Sequence, residues 1–128
     1  MPPQELNAAQ EKADQSMRNR WKAQDGMLVF DGKGQSLCTS KDYANFELLL
    51  DWKIEESGDS GVYLRGSPQV QIWDPFQGKN NPQKIGSGGL YNNEKNQSRP
   101  SKAADKPIGQ WNRFRIVMTG EKVHVFLN

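Results

Sequence analysis

From Trp21 onward the apolar residues recur at alternate positions in short runs, each bounded by Gly, Pro, Asn, Asp or Ser. A period of two belongs to strands with one buried face, because successive side chains point to opposite sides of the backbone. The longest run is Phe46 to Ile54. Phe46, Leu48, Leu50, Trp52 and Ile54 share one face; Glu47, Leu49, Asp51 and Lys53 share the other. Shorter strands read over Met27–Phe30, Leu37–Thr39, Val62–Arg65 and Val70–Trp73. Arg113–Met118 and Lys122–Leu127 read as a hairpin around Thr119-Gly120-Glu121, and Asp31-Gly32 after Phe30 is a further hairpin-turn signal. Many short strands with turns at this spacing predict an all-β sandwich or barrel.

The beginning of the chain obeys a different period. Leu6, Ala9, Ala13 and Met17 lie at helical spacing, which predicts a short helix whose weak stripe packs on the sandwich. The chain therefore divides into an N-terminal helical segment, residues 1–20, and one sandwich domain, residues 21–128. Hydrophobic residues make up only 34% of it, so the core must be thin, as two packed sheets make it.

Several function classes are excluded or left without support. A net charge of +2, with Lys and Arg scattered among Asp and Glu, gives no basic stripe for nucleic acid. No apolar run approaches the ~20 residues of a membrane span, and Met1-Pro2-Pro3-Gln4-Glu5 is not the start of a signal peptide. Cys38 stands alone, so no internal disulfide forms; its strand-like setting predicts a buried thiol rather than a nucleophile. His124 is the one histidine and reads as a structural strand residue, so no zinc-type cluster exists. A metal would need oxygen ligands such as Asp59, Asp74 and carbonyls. The Gly-rich segments at 32–36 and 86–89 match neither phosphate-binding pattern, and Asn96-Gln97-Ser98 is a frequent chance match to the glycosylation triplet.

Between Asp74 and Trp111 runs a long stretch rich in Gly, Asn, Pro, Lys and Ser. Its length marks it as functional or disordered rather than a mere connection, and Ile85, Leu90 and Tyr91 predict a folded loop over part of a face. At the other extreme, a strand ending at Leu127-Asn128 lacks a partner. The expectation is a truncated sandwich, completed by further strands or by another chain.

The densest polar signal is Asp59-Ser60-Gly61-Val62-Tyr63-Leu64-Arg65-Gly66 followed by Gln69-Val70-Gln71-Ile72-Trp73-Asp74. Alternation puts Tyr63 and Arg65 on one face, against Val62 and Leu64; Gln69, Gln71 and Trp73 likewise oppose Val70 and Ile72. A solvated outer face would be dominated by Lys and Glu. Gln, Tyr, Trp and Arg instead offer planar hydrogen-bonding groups and ring faces, the mixture that sugars require. Asp51 is expected beside Arg65 on the same concave sheet, as a charge-assisted pair.

These residues resemble a known family. The blocks Phe46-Glu47-Leu48, Asp51-Trp52, Asp59 to Gly66, Pro68 to Asp74, Gly86-Ser87-Gly88-Gly89-Leu90-Tyr91-Asn92-Asn93 and Pro107 to Asn112 are similar to those of the 3-keto-disaccharide hydrolase family, over roughly Trp21 to Asn128. The resemblance implies a concanavalin-like jelly roll, exported to the periplasm or outside, that cleaves 3-keto-glycosides. Many members carry Glu where this chain has Gln69. The implied chemistry is C2 proton abstraction, β-elimination at C1 and hydration of the enone, which needs a base, an enolate stabiliser and a leaving-group acid. By role these are Asp51 or Asp74 as base, Arg65 or a bound divalent cation at the enolate, and Tyr91 or Tyr63 as acid. Gln69, Gln71, Trp73 and Tyr63 would bind the sugar. A non-catalytic carbohydrate-binding module on the same scaffold is the alternative, and a sandwich that only mediates protein contacts is a weaker third.

Overall fold

A computed structural model describes residues 2–77, 81–91, 93–96 and 98–128. Asn92, within the resemblance blocks, and Gln97, the middle of the glycosylation triplet, lie outside the described residues. The chain forms two compact units, Met1–Lys41 and Asp42–Asn128.

The first unit holds helix α1 (Pro3–Arg20) and the strands β1 (Trp21–Gln24) and β2 (Met27–Phe30). A proline in the first turn needs no N–H partner there, and Glu5 near the start with Arg18 and Arg20 near the end suits the helix dipole. The stripe from Leu6 to Met17 buries none of its residues. β1 and β2 pair in a hairpin whose turn is Asp25-Gly26, with φ of 52° and 74° at the two positions. Left-handed conformation at both central residues is what a two-residue turn needs to match strand twist. The hairpin thus lies one step before the Asp31-Gly32 signal. Asp31 is otherwise engaged: Lys33 N–H donates to its carboxylate, and Arg20 pairs with it at 2.9 Å. Trp21 and Phe30 stack at 4.5 Å. Leu37–Thr39 forms no strand, and Cys38 is exposed rather than buried. A three-residue run without a paired neighbour gains too little to hold an extended conformation.

The second unit contains β3 (Phe46–Trp52), β4 (Asp59–Tyr63), β5 (Gln69–Trp73), β6 (Asn112–Thr119) and β7 (Lys122–Leu127). They form two antiparallel sheets, β3-β6-β7 and β4-β5, so the fold is an all-β sandwich. Alternation decides the faces. Phe46, Leu48, Leu50 and Trp52 of β3 meet Phe114, Ile116 and Met118 of β6 on the inside, with Val62, Leu64, Val70 and Ile72 on the facing layer. The layers touch at Gly88, where a Cβ would stand 3.5 Å from Val125 and 3.6 Å from Phe114. Burial of Phe114, Ile116, Val70 and Leu64, all essentially without exposure, is the main stabilising contribution.

Two expectations about placement fail here. β3 pairs with β6, not with β4, so Glu47 and Asp51 stand on the outer face of the opposite sheet. β4 also ends at Tyr63: Arg65 and Gly66 have φ of 50° and 79°, so the chain has already turned and Arg65 does not continue the strand's face. The described residues of the stretch after Asp74 are folded as expected. Asn81 is buried and brackets Ile85 with two hydrogen bonds, and Asp105 accepts from Ser87 N–H. No helix among the described residues is long and apolar enough to cross a membrane.

Candidate functional site

The β4-β5 register sorts the polar segment by face. Val62 lies opposite Val70 and Ser60 opposite Ile72 on the core side; Asp59 faces Trp73, Gly61 faces Gln71 and Tyr63 faces Gln69 on the outer side. A third ribbon extends this sheet along β5. Gly88 N–H donates to Gln71 C=O, Gln71 N–H to Gly89 C=O, and Tyr91 N–H to Gln69 C=O, each at 2.9 Å, around a bridge between Val70 and Leu90. Leu90 packs on the core, so alternation turns Tyr91 outward. Tyr63 and Tyr91, 55% and 52% exposed, therefore flank Gln69 across three strands, about 10 Å from one outer strand to the other.

The next row is built more tightly. Gln71 is buried at 4% exposure, and its Nε2 donates to Asp59 Oδ1 at 2.6 Å and to Ile72 C=O at 3.3 Å. A buried amide leaves few orientations open, so Asp59 is held while the residue itself stays exposed. Trp73 donates from Nε1 to Gly86 C=O at 3.3 Å, which fixes its ring at the end of the row. The outer face thus brings together Tyr63, Gln69, Gln71, Trp73 and Tyr91, five of the residues singled out in the sequence. It adds Asp59, which the sequence offers only as a metal ligand.

Other residues are placed elsewhere. Arg65 donates from Nε to Ala44 C=O at 2.7 Å and from Nη2 to Asn45 Oδ1 at 3.4 Å. Asp51 forms a bidentate pair with Arg113, at 2.6 and 2.8 Å, instead of with Arg65. The hydrogen bonds from Arg113 hold its carboxyl below the usual range. Glu47 Oε1 accepts from Arg115 Nε, a single diagonal contact because Glu47 lies opposite Val117, and Arg115 lies over the Phe126 ring. His124 is exposed on β7, opposite Val117.

Asp74 has a different environment. It is 2% exposed and accepts N–H from Ser57 at 2.8 Å, Phe76 at 2.7 Å and Gln77 at 3.1 Å. Burial pushes its carboxyl up, and the three backbone donors outweigh this and pull it below the ordinary value. Both oxygens are occupied, so Asp74 closes the turn after β5 and is neither a free base nor an open metal ligand. Among the described residues no three His, Cys, Asp or Glu side chains gather where they could hold a metal ion.

Asp59 was legible in principle. It stands two residues before Gly61 and four before Tyr63, so the strand period already puts it on their face once β4 is begun at Asp59 rather than Val62.

Comparison with known proteins gives one family match. A family model described as a 3-keto-alpha-glucoside-1,2-lyase-like domain matches residues 5–128. A curated 3-keto-disaccharide hydrolase of Bacteroides thetaiotaomicron is 27% identical over 142 residues, covering 83% of this chain and 47% of that protein. The chain therefore spans about half the length of this relative. No solved structure gives a significant match.

Proposed function

The chain belongs to the 3-keto-alpha-glucoside-1,2-lyase-like domain family, and from that premise we propose that the outer face of β4-β5 handles a 3-keto-glycoside in the full-length protein. A ketone at C3 acidifies the C2 proton because the carbanion left behind is an enolate. Loss of that proton lets the C1–O bond break with the electron pair passing to the leaving oxygen, and water then adds to the enone.

The observation that carries the assignment of roles is the Asp59–Gln71 contact at 2.6 Å. Asp59 is the base: its Oδ1 is anchored by a buried amide, and Oδ2 has no donor among the described residues. Tyr63 or Tyr91, exposed on the same face, protonates the leaving oxygen, and Trp73 supplies a ring for the sugar's C–H face. Asp51 and Asp74 are poorer bases because both are held ionised by donors already in place.

A 3-keto-glucoside with a chromogenic leaving group tests this. Asp59→Asn should slow release by about 10²–10⁴-fold, the range for loss of a general base, while Asp51→Asn stays near wild type. Equal losses in the two variants, or an unaffected Asp59→Asn, would refute the assignment. Binding of the sugar without any release would favour the non-catalytic module.

A further inference from the structure

Gln69 and Gly61 form a pair whose geometry has a chemical consequence. The Gln69 side chain runs across β4 directly over Gly61. A methyl group built on Gly61 would overlap Gln69 Nε2 and stand 2.7 Å from Cγ and 2.8 Å from Cδ. Gly61 is not among the residues of positive φ, so its backbone would accept any side chain. What the site uses at position 61 is the missing Cβ, which leaves the surface of β4 free for the carboxamide.

The amide so placed is unspent. Gln71 next to it donates to two partners, whereas the Gln69 side chain makes no hydrogen bond among the described residues and is half-buried between exposed Tyr63 and Tyr91. A carboxamide offers a donor and an acceptor side by side in one plane. A sugar ring edge with a ketone next to a hydroxyl offers the complementary pair.

We propose that Gly61 positions Gln69 to read the α-hydroxyketone edge of the substrate, with Nε2–H on the C3 oxygen and Oε1 accepting from the neighbouring hydroxyl. This rests on the 3-keto-glycoside reading above. As the C2–H bond breaks and Asp59 takes the proton, the electron pair enters the C2–C3 bond and charge arrives on the C3 oxygen, to which Nε2–H donates. The pair returns when C1–O breaks and the C3 carbonyl re-forms. Gln69 is thus a catalytic residue and Gly61 its positioning residue. The guanidinium of Arg65 is not needed for this step.

The test is release of the leaving group from a 3-keto-glucoside by the full-length protein and by Gly61→Ala, Gln69→Ala and the double variant Gly61→Ala/Gln69→Ala, each checked for fold by circular dichroism. Gly61→Ala and Gln69→Ala should each lower kcat by about 10²–10³-fold, the loss found on removing one oxyanion donor. The double variant should be no slower than Gln69→Ala, because without the amide the added methyl displaces nothing. Additive losses in the double variant, or a Gly61→Ala protein at the wild-type rate, would overturn the proposal while leaving the elimination reading intact. A wild-type protein that neither binds nor cleaves the substrate would overturn both.

Discussion

Three aspartates separated by fifteen or fewer positions from their neighbours in the sequence end in three unlike environments, and those environments sort their chemistry. Asp51 is neutralised by Arg113 in the open, Asp59 is anchored on one oxygen, and Asp74 is buried and saturated by backbone N–H groups. Asn at 74 can still accept at one atom, but its amide would turn a donor toward Ser57 N–H. Asp74→Asn should therefore cost about 1–3 kcal/mol, the penalty for a buried donor left without a partner, read as a lower urea midpoint. The folded state lowers the Asp74 carboxyl below its ordinary 3.8. Its contribution is accordingly complete above that value and is lost as pH falls through the lower folded one. The gap between wild type and Asp74→Asn should be full at pH 7 and shrink below about pH 4; a gap that widens on acidification would refute the linkage. The sequence carried the identity of these residues and not their partners, because Arg113 lies sixty-two positions from Asp51 and no local pattern links them.

At the scale of elements, alternation was the most dependable signal. The inward set of β3 and the hairpin β6-β7 stand where the sequence put them, since a period of two with one buried face admits one register. Two misreadings came from turns. Asp25-Gly26 rather than Asp31-Gly32 closes the first hairpin, and the left-handed Arg65 ends β4 early. The ribbon from Gly88 to Tyr91 was not readable as strand, because it pairs through only a few bonds and is glycine at two of its four positions. Its attachment depends on Gly88, which combines φ of 100° with a core-facing position against Val125 and Phe114. Gly88→Ala should destabilise the protein by at least about 1–2 kcal/mol through backbone strain. It should also raise amide exchange at Gln71 and Tyr91, whose N–H groups bond across this ribbon. Unchanged exchange at both would mean that the ribbon does not depend on the glycine.

For the whole molecule, fold class was legible and topology was not. An all-β chain follows from strand period and turn spacing, whereas the pairing of β3 with β6 is decided by a core that joins residues far apart in sequence. That pairing moved Asp51 to the far side of the sandwich and left the candidate site on one face, from Asp59 to Trp73 with Tyr91 beside it. The central claim is that this face removes the C2 proton before the C1–O bond breaks. It is tested most directly by letting the full-length protein cleave a 3-keto-glucoside in deuterium oxide and reading C2 of the released 3-keto-sugar by NMR, against a control of the product without protein. Elimination followed by hydration predicts deuterium at C2 in excess of the control from the first turnovers. Product that keeps its original C2 hydrogen would contradict the account and point to direct hydrolysis at C1.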